Sequence, residues 1–307
     1  MSTTKTANLQ LVLPMQTTRY NIDTCSLLVE FNTSVWTARK LDKGTTDELV
    51  HSKNAASKDA ARVNKHLLAG RKELDVIVQH VGNVRNRFVY PNTLPWSDTG
   101  IRLLPTARFM DFNQRMVEEE EKFWELVKYF VGIYPTLITA QAMALGQMFK
   151  RDDYPDAVEI ERRFGFNVNY IPVPTSGDFR VDVGNAAMQE LQEKYDTYTS
   201  ERVEAAMTDV RTRLKEHLLR MSDRLTMDTS GGEIKTRRFN DSLLDAGLEL
   251  CDLVKGLNIV GDYSLEQARA SLERALSGVS VDDLRKNVAV RRDVKKEVDT
   301  ILSSMTW

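Results

Sequence analysis

Only two cysteines, Cys25 and Cys251, occur in 307 residues. They lie far apart among apolar neighbours, which excludes a disulfide framework and fits a reducing compartment. No stretch approaches the ~20 apolar residues that a membrane-spanning helix needs. The longest candidate, 123–145, is interrupted by Pro135 and by polar side chains. The start, MSTTKTANLQLVLPMQ, has one Lys and an apolar stretch of only LVL, so it reads as neither signal peptide nor anchor. An excess of one charge is also missing. Lys plus Arg is 42 and Asp plus Glu is 44, a formal charge of -2. No global field is therefore present to hold nucleic acid or an acidic membrane, although local patches remain open to both. These features predict a soluble, intracellular protein without a membrane partner.

Chemistry-bearing motifs are scarce as well. The four histidines, His51, His66, His80 and His217, have no second His or Cys at a metal-ligand spacing, and neither CxxC nor HExxH occurs. As lone histidines on charged helices they are expected at the surface. No GxxxxGK[ST] or GxGxxG loop is present to cradle a phosphate. Asp152, Asp153, Asp156 and Glu159 cluster, but they fall in the first turn of a predicted helix, where negative charge favours the dipole. Glu118 to Glu121 is read as a solvated face. Trp96, Trp124 and Trp307 are candidate stacking platforms for bases; Trp124, beside Phe123, is expected in the core, and Trp96 is the more open case. No catalytic residue, metal or cofactor is assigned, and the chain is not expected to be an enzyme.

What is present is mostly helix. Residues 1–25 are Thr-rich and expected to be flexible. SLLVEFNTSVW alternates Leu27, Val29 and Phe31 with Leu28, Glu30 and Asn32, the period of a strand. Helices are predicted over 55–68, stopping at Gly70, and over 72–88, ending before Tyr90-Pro91. A long helix over 107–134 should break or kink at Pro135, and a continuation over 136–148 is rich in Ala, Leu and Met. Pro155 opens a short helix ending near Gly165. FNVNYIPV and DFRVDV, joined by PTSG, predict a hairpin over 166–183.

From Asn185 to Met227 there is neither Pro nor Gly, about 64 Å of continuous helix at 1.5 Å per residue. Val203, Met207, Val210, Leu214, Leu218, Met221 and Leu225 step by three and four, after a phase break near Tyr198 to Val203. The pattern suggests a coiled-coil arm or a helical hairpin. TSGGEIKTRR, 229–238, reads as a linker. Three helices follow, over 241–255, 264–276 and 282–304, with Asp262 or Ser264 and then Ser280 as caps. Val290, Val294, Val298, Ile301 and Met305 form a narrow packing seam on the last. The division is thus a flexible 1–25, an α+β core 26–184, an arm 185–228, a linker 229–238 and a C-terminal helical domain 239–307. The fold class is mainly α with a small antiparallel β element.

Two groups of residues stand out. In TLPWSDTGIRLLP, 93–105, Pro95 and Trp96 fix a bend and bury a ring, and Gly100 permits a positive φ. Arg102, the one basic residue in an apolar string, is expected to pair with a carboxylate or carbonyl, or else to bind an anion. The second group is basic: Lys235, Arg237 and Arg238 near the linker, and Arg285, Arg291, Arg292, Lys295 and Lys296 on the last helix. It is a candidate face for phosphates or for a partner protein.

TLPW-x-D-x-G-x-R-L-L-P, with VEFNTSVWTARKLD, RFGFNVNYIPVPTSGDFRV and the long helix after it, resembles a family of uncharacterised tailed-bacteriophage and prophage proteins. The likeness covers roughly 26–230. It implies a location in the host cytoplasm. Some members accompany MoxR-type AAA+ ATPases with von Willebrand A partners, which implies a phage or host partner such as an AAA+ ATPase. Others accompany replication and recombination genes. The expectation that results is a non-enzymatic accessory protein that self-assembles through helices as adaptor or scaffold. The alternative is a nucleic-acid-binding protein of phage replication or recombination, specific for single strands in one form of that reading.

Overall fold

The computed structural model describes residues 22–70, 72–175, 185–228, 235–236, 241–305 and 307. The chain runs α1 (Ile22–Cys25), β1 (Ser26–Ser34), β2 (Arg39–Leu41), α2 (Lys43–Ser52), β3 (Asn64–His66), α3 (Glu73–Asn83), a π turn (Val84–Val89) and α4 (Tyr90–Asn92). There follow β4 (Leu94–Pro95), β5 (Arg102–Pro105), α5 (Phe109–Leu145), α6 (Ala157–Glu161), β6 (Gly165–Pro172) and α7 (Asn185–Leu225). The remainder is β7 (Met227–Asp228), β8 (Lys235–Thr236), α8 (Asp241–Leu257), α9 (Tyr263–Leu276), α10 (Val281–Lys286) and α11 (Val288–Ser304). The fold is mainly α with small antiparallel sheets.

The largest sheet has the order β4-β5-β1-β6, all antiparallel. Successive strand residues point to opposite faces, and here both faces are covered. Leu28, Leu94 and Leu103 belong to one apolar core; Val29, Leu104 and Phe166 belong to another. The second core is built with α3 and α5, through Ile77, Phe112, Phe123 and Phe130. The first is built with α7, α8, α9 and α11, through Leu214, Val254, Leu272 and Val298. The small sheet is therefore the shared wall between two helical layers. The C-terminal helices do not keep a core to themselves, because Ile22, Trp96 and Val173 join theirs.

Several expectations are corrected. Residues 55–68 are not a helix. Ser57 caps a short 3-10 turn, and Asn64–His66 pairs with Arg39–Leu41. Helix forms instead at Lys43–Ser52, where the Asp42 carboxylate accepts from Thr45 N at 3.1 Å. The second helix does not stop before Tyr90-Pro91. It widens into the π turn, with Tyr90 N bonded to Arg85 O, and carries on to Asn92. A π turn shifts the hydrogen-bond register where a missing N–H must be accommodated.

Pro135 does not break α5, which spans 37 residues through it. Tyr134, Leu137 and Ile138 are buried on either side, and this packing outweighs the ~3 kcal/mol cost of an internal proline. The last predicted helix is two. Asn287 closes α10 and its side chain accepts from Ala289 N and Val290 N to open α11. The caps at Asp262 and Ser280 form, the latter as a reciprocal capping box with Asp283. Of the predicted hairpin, β6 pairs with β1, while 178–183 lie outside the described residues. Most of the linker lies outside them too, but Lys235–Thr236 within it (β8) pairs with Met227–Asp228 just before it (β7).

The helix α7 is continuous over 41 residues, and the phase break appears as a change of burial. No residue of α7 before Val203 is buried; from Val203 to Leu225 the whole apolar stripe is. That stripe packs on α8, α9 and α11 of the same chain. The seam Val294, Val298 and Ile301 is covered in the same core, so neither one argues for a second copy.

Candidate functional site

The segment 93–105 folds as a tight ribbon. Leu94 pairs with Leu103 and Pro95 with Arg102. The tip closes through Trp96 N and Ser97 N, both donating to Ile101 O, and through Gly100 N donating to Ser97 O. Gly100 takes φ 93°, a conformation that favours glycine. Trp96 is 6% exposed and lies in the core built with α7. It is an anchor rather than an open stacking platform.

Arg102 points at the end of the helical run 73–92. Its Nε donates to Thr93 Oγ1 at 2.6 Å, and its Nη2 donates to Thr93 O at 3.0 Å and Tyr90 O at 3.4 Å. Its guanidinium lies 4.6 Å from the Tyr90 ring centre. From α7, Arg213 donates to Pro91 O at 2.7 Å and to Tyr90 O and Thr93 O at 3.1 Å. Arg108 adds Asn92 Oδ1 at 2.8 Å and Asp252 O at 3.4 Å. Helix C-termini carry unpaired carbonyls and a partial negative charge, which cations satisfy. Three arginines from three elements thus tie one helix end to the sheet, to α7 and to α8. Burial, and then the nearby Arg213, lower the pKa of Arg102. Asp209 offsets part of this, pairing with Arg213 at 2.5 Å.

The basic residues do not form one face. Arg291 is 1% exposed. It donates to Leu225 O, Leu284 O and Arg224 O, closing the C-terminal end of α7. A guanidinium at a helix terminus inside the protein is a structural tie, not a phosphate ligand. Lys295 is held by Asp299 at 2.7 Å and Ser222 at 3.1 Å. Arg285 sits on α10, across the Asn287 break from the rest. Arg292 and Lys296 are exposed beside Lys295 on a shallow groove with Thr300 and Ser303. Lys235 lies in β8, and Arg237 and Arg238 lie outside the described residues.

Other residues move from their expected places. Trp124 is 38% exposed and meets Phe123 edge-on, so it is not core. His80 and His217 are buried, not at the surface. His80 Nε2 lies 3.0 Å from Glu119 O, and Glu119 is buried with it, unlike the rest of the acidic run. His217 is pushed down to a pKa of about 4 by burial, with Arg220 acting in the same direction.

Asp153 does not favour a helix dipole. It meets Lys40 at 2.8 Å and the buried Lys65, whose Nζ also donates to Met148 O at 3.0 Å. Burial pushes the Asp153 carboxyl up; the two lysines together overcome this and hold it below the usual range. Sequence reasoning missed this cluster, since Lys40, Lys65 and Asp153 carry no local signal of convergence. Among the described residues no group of three or more His, Cys, Asp or Glu is placed to hold a metal. Comparison with known proteins finds no matching family model, no matching curated protein and no matching solved structure.

Proposed function

We propose that the protein is a non-enzymatic adaptor or scaffold of tailed-phage type that works by presenting the acidic outer face of the N-terminal half of α7, around Glu190, Glu193 and Tyr198. The observation that carries this reading is the abrupt change along one helix. From Val203 onward α7 is locked into a core, and before Val203 none of its residues is buried. The unburied half is held in place from one side, by Tyr195 donating to Pro174 O and Arg202 donating to Asp98 at 3.4 Å, and a rigidly placed helix face suits a docking element. The exposed half carries Glu190, Glu193 and Glu201 around Tyr198, with Lys194 paired to Glu190 at 2.6 Å. Its partner would be basic on the matching face, an AAA+ ATPase or another phage or host protein. The arginine ties at Tyr90 and Thr93 support the same reading, because they stiffen the base of the arm.

A photo-crosslinking residue placed at Glu190 or Tyr198 tests it in infected cells. Crosslinks to one phage or host protein from these sites, and none from the equally open Lys128 on α5, are the expected result. Equal labelling from all three sites sinks the reading.

The nucleic-acid reading keeps one observation, the groove of Arg292, Lys295 and Lys296. With Arg291 buried it rests on three cations, one of them paired. Replacing Arg292 and Lys296 with Gln should flatten the salt dependence of single-strand binding by about 0.7 for each phosphate no longer neutralised. Absence of any shift of labelled DNA at low salt removes this reading.

A further inference from the structure

We infer that the outer edge of β6 takes up an extended, basic segment of a partner protein as an added strand, independently of α7. In the largest sheet, ordered β4-β5-β1-β6, only β6 offers a long outer edge. β4, on the other side, has two residues and packs on α7. β6 has eight residues, about 27 Å at 3.4 Å each, and among the described residues it pairs only with β1. Every second residue of such a strand turns its N–H and C=O outward. Among the described residues none of 165–171 makes a further backbone hydrogen bond there. Outer strands are commonly protected by charged side chains, an internal proline or a bulge. GFNVNYI has no charge and no proline, and its pairing with β1 runs unbroken from Gly165 to Pro172.

The helix beside that edge selects the occupant. α5 runs along β6 in the opposite direction, with Phe123 5.4 Å from Phe166 and Phe109 5.1 Å from Tyr170 between ring centres. Between these contacts Asn113, Val117 and Glu120 of α5 and Phe166, Val168 and Tyr170 of β6 line a groove of about 240 Å³. No residue of β1 lines it, so it lies on the outer side of the strand. The volume is below the range of small-molecule sites and suits a few side chains of one strand. Asn113, Val117, Glu120 and Trp124 step by four and three, one row on the helix. β6 begins opposite Phe123, so the row ends at Trp124. Val117 is 47% exposed and Trp124 is open as well. A strand laid on β6 points alternate side chains at this row. It should therefore be apolar opposite Val117 and Trp124 and basic between them. Glu120 and the exposed Glu121 beside it pair with no cation among the described residues; Arg115 on the same helix is taken by Glu118 and Glu119. A basic segment supplies the missing charge. A second copy of the chain does not, because a two-fold β6–β6 pairing sets one acidic row beside the other.

Three capped peptides, TVTKTVT, TVTQTVT and TVTETVT, decide the matter, each titrated into the full chain at low salt while amide resonances are followed. They read the same in both directions, so either strand orientation presents the same side chains. The Lys peptide should shift the amides of 165–171 and 113–124. It should bind about threefold tighter than the Gln peptide, with the Glu peptide weakest. N-methylation of the central Lys and of the Thr before it keeps every side chain but puts one methyl against β6 in either direction, and should abolish binding. Glu120→Gln with Glu121→Gln should bring the Lys and Gln peptides to equal affinity with no change in Tm. Trp124→Ser should weaken all three alike. Equal binding of the Lys and Gln peptides to the unmodified protein overturns the inference, as does undiminished binding of the methylated peptide. So do shifts that map to α7 or elsewhere, or none at about 1 mM. Amides of 165–171 that move with protein concentration alone assign the edge to a second copy and overturn it too.

Discussion

Arg102 and Arg213, from β5 and α7, donate to the same two carbonyls, Tyr90 O and Thr93 O. Two like charges converge there because the end of a helix offers several acceptors and a partial negative charge. Each arginine can hold part of the cap when the other is missing. Arg102→Ala and Arg213→Ala should therefore each cost about 1.5–3 kcal/mol. The double variant should lose more than the sum. Urea denaturation of the four proteins measures this, and additivity within about 0.5 kcal/mol would show that the two act independently.

Trp96 and Trp124 make a matched pair of opposite burial. Trp96→Ala should cost about 3–5 kcal/mol, as for a large core deletion. Trp124→Ala, at 38% exposure, should cost far less. Denaturation midpoints at equal slope give the comparison. A costly Trp124→Ala would contradict the placement of that ring.

Gly247 and Gly132 both sit inside helices, with opposite surroundings. A Cβ on Gly247 would stand 2.9 Å from Leu276 Cδ1 and 3.0 Å from His217 Nε2. A Cβ on Gly132 meets nothing within 4 Å. Gly247→Ala should destabilise by about 1–3 kcal/mol, and Gly132→Ala should stabilise by up to about 1 kcal/mol. Thermal melts that move in the same direction for both would refute this contrast.

His217 should make stability depend on pH. It is 4% exposed, and its folded pKa is about 4 against an ordinary 6.5. Between these values the unfolded chain binds the proton and the folded chain does not. Its neutral-form stabilisation is complete above pH 6.5 and is lost as pH falls towards about 4. The loss across that window is about 3 kcal/mol at 1.36 kcal/mol per unit. Denaturation curves at pH 7 and pH 4.5 check it against His217→Gln, which should show a smaller difference. An unchanged difference assigns the slope to other groups.

The stripe on α7 should behave as an internal core. Leu214 is fully buried among helices of its own chain. The Tm should stay constant over a tenfold range of protein concentration, and Leu214→Asp should unfold the bundle. A midpoint that rises with concentration would mean that copies share the stripe.

Much of the secondary structure was legible because it is set by nearest neighbours in sequence. β1 shows in the alternation of Leu27, Val29 and Phe31. α7 shows in its lack of Pro and Gly, and the helix starts show in Asp262 and Ser280. Gly100 announced its positive φ from its place in a turn. The misses share a cause. Pro91, Pro135 and the 55–68 segment were read by local preference, which is worth at most a few kcal/mol and yields to packing on both sides.

Residue types and spacing determined β1 and β5, the helical character of α5 and α7, the caps at Asp262 and Ser280, and the burial of Trp96. Tertiary structure alone decided what those elements face. It turned two apolar stripes inward on each other, made the sheet a wall between two cores and drew Arg291 out of the expected basic face. It also brought Arg102, Arg108 and Arg213 to one helix end. Periodicity specifies that a face is apolar or charged; which surface covers it depends on segments distant in the chain, as with Arg291 and Leu225 at a separation of 66 residues, and no local pattern encodes that choice.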